Sequence, residues 1–254
     1  MNEIGSGTGA RLQASAVADG GTPVELWTDW DQNFGPLDLG HCPGMTVIAP
    51  HPDDETLGLG ATVAMLSAAG VEVQVVSVSD GGAAYPGLSA ADRAELERVR
   101  GTEVRRSVGL LGAGEPIRLA MPDGELSRHE QRLTDRIATL LADFPAGRWC
   151  AATWRGDGHP DHEAVGRASA AAAAQTGAVL LEYPVWMWHW ARPGDPAVPW
   201  NRARRVALTD EALNSKQHAV ECFSSQTQPG PDGQPVLPPA VVHRLLTVGE
   251  VVFV

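Results

Sequence analysis

Lysine is nearly absent from this chain: Lys216 is the only one among 19 basic side chains, which face 31 acidic ones and leave a formal net charge of -12. Nucleic acid, whose phosphates call for basic surfaces, is not an expected partner of so acidic a protein. Cysteine is scarce as well. Cys42, Cys150 and Cys222 are widely spaced and form no C-x-x-C pair, which argues against a disulfide framework or a thiolate zinc site and reads instead as small buried hydrophobes. No uninterrupted apolar run approaches the ~20 residues that a membrane span needs. The N-terminus lacks the basic-then-apolar layout of a secretory leader, so a soluble, cytoplasmic protein is expected. Two catalytic signatures are also missing. There is no His-Glu-x-x-His helix, and Gly58-x-Gly60 sits inside a helical stretch without the full glycine spacing of a dinucleotide fingerprint.

What is present suffices for one large domain, since 43% hydrophobic and 20% charged residues can supply an ordinary core. Residues 1–40, rich in Gly, Ala, Ser and Asp, read as an N-terminal extension that is flexible to about Gly21. Leu26 to Leu39, with two tryptophans and Phe34, is expected to pack against a single domain spanning 41–254. From Met45 onward, short β-branched runs alternate with helical stretches. Strands are expected at Thr46–Ala49, Val71–Val78, Ile117–Ala120, Trp149–Thr153, Ala178–Tyr183, Arg205–Leu208 and Val251–Val254. Helices are expected near 56–69, 90–111, 126–144, 162–174 and 210–223. This alternation predicts an α/β fold, a mostly parallel sheet with helices on both faces.

Two loops carry the chemistry. His51-Pro52-Asp53-Asp54-Glu55 directly follows the first expected strand, where α/β sheets gather their ligands. A histidine and a carboxylate three apart on a proline-fixed turn can converge on one cation, and imidazole and carboxylate both suit Zn2+. The neighbouring carboxylate is then free to act as a base. Taken alone, the acidic triplet reads equally as a cap on the following helix.

The second loop, Gly156-Asp157-Gly158-His159-Pro160-Asp161-His162, again links a strand to a helix. Two histidines and one carboxylate leave coordination open for water, as in catalytic zinc sites, whereas structural sites are closed by four protein ligands. One histidine pair in a loop carries little weight. Two such loops at strand ends of one parallel sheet carry much more.

These residues resemble the PIG-L, or LmbE-like, de-N-acetylase family over roughly Met45 to Gln226. The anchors are Val47-Ile48-Ala49-Pro50-His51-Pro52-Asp53-Asp54-Glu55 and His159-Pro160-Asp161-His162. Weaker support comes from Ser79-Asp80-Gly81, Arg100 with Glu103, and the stretch from Lys216 to Ser225-Gln226. The resemblance implies a Rossmann-like fold and His51, Asp54 and His162 as metal ligands. It implies Asp53 as general base, and His159 as oxyanion stabiliser or general acid. The implied cofactor is Zn2+, with Fe2+ as the other candidate. The implied activity is hydrolysis of an N-acyl, foremost N-acetyl, group from an amino-sugar small molecule or natural-product glycoconjugate, as in secondary metabolism. A non-catalytic zinc- or sugar-binding member, or an amidase acting on another amide, is the alternative.

Four residues are weaker candidates for substrate binding. Asp80 and Arg100 are candidates for the cleft wall. Trp186 and Trp188 alternate with Met187, and alternation in an extended segment would place the indoles on one side as a wall for a sugar. A cover over the core, or a subunit contact in a homo-oligomer, is the competing reading.

Overall fold

A computed structural model of the chain describes Val17 and residues 20–31, 33–145 and 147–254. Among these the elements run α1 (Val24–Thr28), β1 (Gly35–Pro36), β2 (Met45–Ala49), α2 (Asp54–Ala68), β3 (Val73–Ser79), α3 (Ala90–Leu110) and β4 (Ile117–Met121). They continue with α4 (Glu130–Ala142), β5 (Trp149–Thr153), α5 (Pro160–Thr176), β6 (Val179–Tyr183), α6 (Met187–Trp190) and β7 (Ala203–Arg205). The last are α7 (Asp210–Val220), α8 (Ser224–Thr227), α9 (Pro239–Thr247) and β8 (Val251–Phe253). One sheet takes them in the order β1-β7-β8-β6-β5-β2-β3-β4, parallel except where β8 pairs with β6 and β7. No helix among the described residues is long and apolar enough to cross a membrane.

The strand order places the site. From β2 the chain moves through α2 to β3 on one side, while β5 pairs with β2 on the other. The order therefore reverses between β2 and β5, and their carboxyl ends open a crevice there. Both motif loops leave from these two strands.

Strand β2 is buried along its whole length and is apolar except for Thr46, whose hydroxyl accepts from Arg148 Nε at 2.9 Å. Val47 faces one core cluster with Val75 and Leu181, while Ile48 faces another with Val76 and Cys150. Cys42 and Cys150 are buried free thiols, and burial pushes Cys150 up to about 12, so it is chemically quiet. Cys222, partly exposed, is free too.

Helix α2 is broken at Leu59 (φ -138°, ψ 17°). The amides of Ala61 and Thr62 that the break releases are taken by Glu250, each at 2.8 Å, and Lys216 Nζ meets the same carboxylate at 2.9 Å. The one lysine of the chain thus neutralises a buried helix cap, where an unpaired charge would be strongly destabilising. Ahead of the break, Gly58 lies so near Tyr183 that a Cβ would fall 2.3 Å from the ring.

Residues of the expected extension lie on this body. Trp27 is buried with its indole N–H donating to Trp188 O at 3.0 Å, and β1 pairs with β7. The flexibility expected before Gly21 concerns residues 1–16, 18 and 19, which lie outside the described residues.

Candidate active site

The turn after β2 holds the first motif in a strained backbone. Asp53 has φ 144°, a region that L-residues avoid and that surrounding structure must enforce. Its N–H donates to Glu55 Oε2 at 3.2 Å, and its carbonyl accepts from the amides of Thr56 and Leu57. Although Asp53 is the N-cap of α2, its side chain makes no capping hydrogen bond. The carboxylate lines the cleft instead, 3.2 Å from Arg100 Nη2. Burial pushes Asp53 up to about 8, against the pull of Arg100.

The second loop brings His162 to the same place. Asp54 Oδ2 stands 3.1 Å from His51 Nδ1 and 3.2 Å from His162 Nε2. Two donors about 2.0–2.1 Å from one tetrahedral zinc ion stand about 3.3–3.4 Å apart, so this spacing fits a shared cation. His162 Nε2 is buried and makes no hydrogen bond despite that proximity. Burial opposes charge on His162, yet Asp54 and Asp157 outweigh it and push the ring up to about 9. For Asp54, too, burial is the largest influence and acts upward, but His162 and His51 hold the carboxyl well below its usual range. The trio therefore favours a positive charge at its centre. His51, Asp54 and His162 form a group able to hold a metal ion.

Three further carboxylates, to which the sequence reading gave no role, orient the trio. Asp157 Oδ2 accepts from His162 Nδ1 at 2.8 Å, which leaves Nε2 for a cation. Asp123 Oδ1 and Asp161 Oδ2 lie 3.1 and 3.4 Å from His51 Nε2, leaving Nδ1 free in the same way. Backbone amides anchor both: Ala83 N on Asp123, and Gly124 N and Leu126 N on Asp161. With His51 these two could form a second cation group. We read them as orienting partners, because the anchored carboxylates already share the Nε2 proton. The signal for Asp157 and Asp161 lay within the quoted loop itself; Asp123, from Pro122-Asp123-Gly124, is distant in sequence.

His159 lines the cleft and caps α5, with Nδ1 accepting from Asp161 N at 3.2 Å. Burial is the main cause that lowers its ring to about 3, so the imidazole is neutral and Nε2 is its donor. Arg100, buried on α3, donates to the carbonyls of Gly81 and Pro52, each at 3.0 Å, besides Asp53. The cleft measures about 230 Å3, with Leu57, Val185, Trp186 and Leu237 on its apolar side.

Two residues expected at the wall lie elsewhere. Asp80 pairs with Arg118 Nε at 2.8 Å, outside the cleft. Trp188 is buried edge-on against Trp27. The extended tryptophan segment is corrected outright, since Met187–Trp190 is a helical turn. The cause is non-local: Asp157 accepts the amides of Val185, Trp186 and Met187 at 2.9–3.0 Å and winds the chain into a turn. Trp186 alone of the pair reaches the cleft.

The sequence profile of PIG-L, the GlcNAc-PI de-N-acetylases, matches residues 46–173, half of the chain and both motif loops. The protein belongs to this family. A 1D-myo-inositol 2-acetamido-2-deoxy-alpha-D-glucopyranoside deacetylase of Mycobacterium avium is 34% identical over 157 residues, 49% of each chain. Diacetylchitobiose deacetylase of Thermococcus kodakarensis is 29% identical over 120 residues, 47% of this chain and 45% of that protein. The chain thus spans about half the length of these two curated relatives. Among solved structures, the A40926 pseudoaglycone deacetylase superposes with a TM-score of 0.60 at 22% identity, covering 83% of this chain and 96% of that one, a likeness of fold.

Proposed function

We propose that the protein hydrolyses an N-acyl group, foremost N-acetyl, from an amino-sugar-containing small molecule or glycoconjugate, with residues 41–254 as one catalytic domain. The observation that carries this reading is the meeting of His51, Asp54 and His162 around one point beside an uncapped Asp53 carboxylate in a common cleft. The deacetylase names of its relatives support the choice of substrate class.

His51 Nδ1, an Asp54 oxygen and His162 Nε2 would hold zinc, which supplies Lewis acidity toward the amide carbonyl and the attacking water. Asp53, positioned by Arg100 and the strained turn, takes the proton from that water; the cation beside it would join Arg100 in favouring its carboxylate form against burial. His159, a neutral donor through Nε2, faces the developing oxyanion. The departing amine takes its proton from Asp53, which carries the one drawn from the water, while the neutral His159 stays a hydrogen-bond donor. A protein that only bound metal or sugar would need the ligands but no base.

The test is acetate release from methyl N-acetylglucosaminide. Turnover should vanish on chelation and return with added zinc. Equal rates from the metal-free protein would contradict the proposal.

A further inference from the structure

A second cavity of about 670 Å3 adjoins the cleft, which measures about 230 Å3. Three segments of chain present consecutive residues to the two spaces. Ala84, Arg100 and Gln226 line the cleft, while Tyr85, Val99 and Ser225 line the larger groove. These three pairs form the partition. It is closed by the Tyr85 hydroxyl, which donates to Ser225 O at 3.1 Å, and Glu103 holds Ser224 and Ser225 in place. Gly230 lets the 228–235 loop press on the tyrosine, because a Cβ there would fall 2.2 Å from the ring.

The groove is mainly apolar, walled by Leu88, Leu96, Val99, Pro229 and Pro231 around Tyr85. Its charged lining residues are Asp92 and Glu95, and no cation lines it among the described residues. The partition is different in kind. Arg100 Nε, a donor, and Gln226 Oε1, an acceptor, are both buried there without a hydrogen-bond partner. Their residues are 3% and 0% exposed. Buried polar atoms are rarely left unpaired, and such exceptions point to a missing partner. A hydroxyl, which both donates and accepts, suits this combination.

We propose that cleft and groove are successive subsites of one elongated site, which takes an N-acylated amino sugar carrying an uncharged apolar aglycone. The sugar occupies the cleft and the aglycone the groove. Arg100 Nε and Gln226 Oε1 meet the hydroxyls at the junction, and the Tyr85–Ser225 contact yields to let the substrate through. An anionic aglycone, such as an alkyl phosphate, would meet the carboxylate of Asp92 with no cation in the lining, since Arg98 beside the groove is already paired with Glu95. The inference rests on the deacetylase reading above and narrows its substrate class.

The experiment compares kcat/KM for methyl, octyl and octyl-phosphate glycosides of N-acetylglucosamine. The octyl glycoside should exceed the methyl one by about tenfold or more through KM, the effect of burying only two methylenes. The octyl phosphate should lose that advantage. Leu96→Trp and Leu88→Trp, each checked for native circular dichroism, should bring the octyl-to-methyl ratio to about one by filling the groove. A ratio of one in the unmodified protein, an equal gain for the phosphate, or a ratio that survives in both folded variants would overturn the proposal. If no N-acetyl glycoside is turned over, the deacetylase reading fails by itself. Calorimetric binding of octyl glucoside then decides the groove: uptake lost in Leu96→Trp supports it, and no uptake by the unmodified protein overturns it.

Discussion

Asp53→Asn is expected to lower kcat by about 10²–10⁴-fold, the range for removing a positioned general base, while zinc content is retained. The amide keeps the size of the carboxyl and can still accept from Arg100, but it cannot take a proton from water. Among the described residues the neighbouring carboxylates are committed elsewhere, Asp123 on the cleft wall to Ala83 N and His51. Glu55, the adjacent carboxylate, is fully buried and committed to Asp53 N–H and the Thr56 hydroxyl. Asp54 stands between the two histidine nitrogens. The φ of 144° at Asp53 is the physical sign that the turn is built for this carboxylate, because a residue placed only for capping would relax. Steady-state rates with metal analysis of the same sample check the result. Undiminished kcat in the Asp53→Asn variant would remove Asp53 from the chemistry.

His162→Ala should abolish zinc binding under conditions where the unaltered protein binds one equivalent. Two remaining donors, His51 and Asp54, fall short of the three protein ligands usual at catalytic zinc sites. Asp157→Asn provides the graded companion. It leaves the three donors in place but removes the carboxylate that holds Nδ1 of His162, and loss of such an orienting partner typically weakens metal affinity by about 10–100-fold. Calorimetric titration with zinc reads both variants. Asp157 also secures the amides of residues 185–187, so Asp157→Asn should lower thermal stability as well. His162→Ala with full zinc occupancy would refute the ligand set.

The fold was legible where the chain is locally consistent. Period and composition locate β2, β5, α3 and α5 to within a few residues, because these elements carry buried apolar runs or long helical periods. Two short pieces were not. β1 has two residues and exists only through its register with β7, and α9 is a short helix that follows directly on a proline-rich irregular loop. The segment Tyr183 to Ala191 failed more instructively. Its alternating tryptophans suggest extension, but the turn is dictated by a carboxylate 28 residues earlier, at Asp157, which local pattern cannot reveal. The same distinction runs through the site. His51, Asp53, Asp54, His159 and His162 stand in two compact motifs and meet in the structure. Asp123 reaches His51 from the far end of β4, and only the sheet order puts it there.

The most direct measurement is an anomalous difference map at the zinc absorption edge from crystals of the zinc-loaded protein. One strong peak is predicted within about 2.0–2.2 Å of His51 Nδ1, an Asp54 oxygen and His162 Nε2, with a coordination position open toward Asp53. A peak held by His51, Asp123 and Asp161 instead, or a site closed by four side chains, would contradict the account.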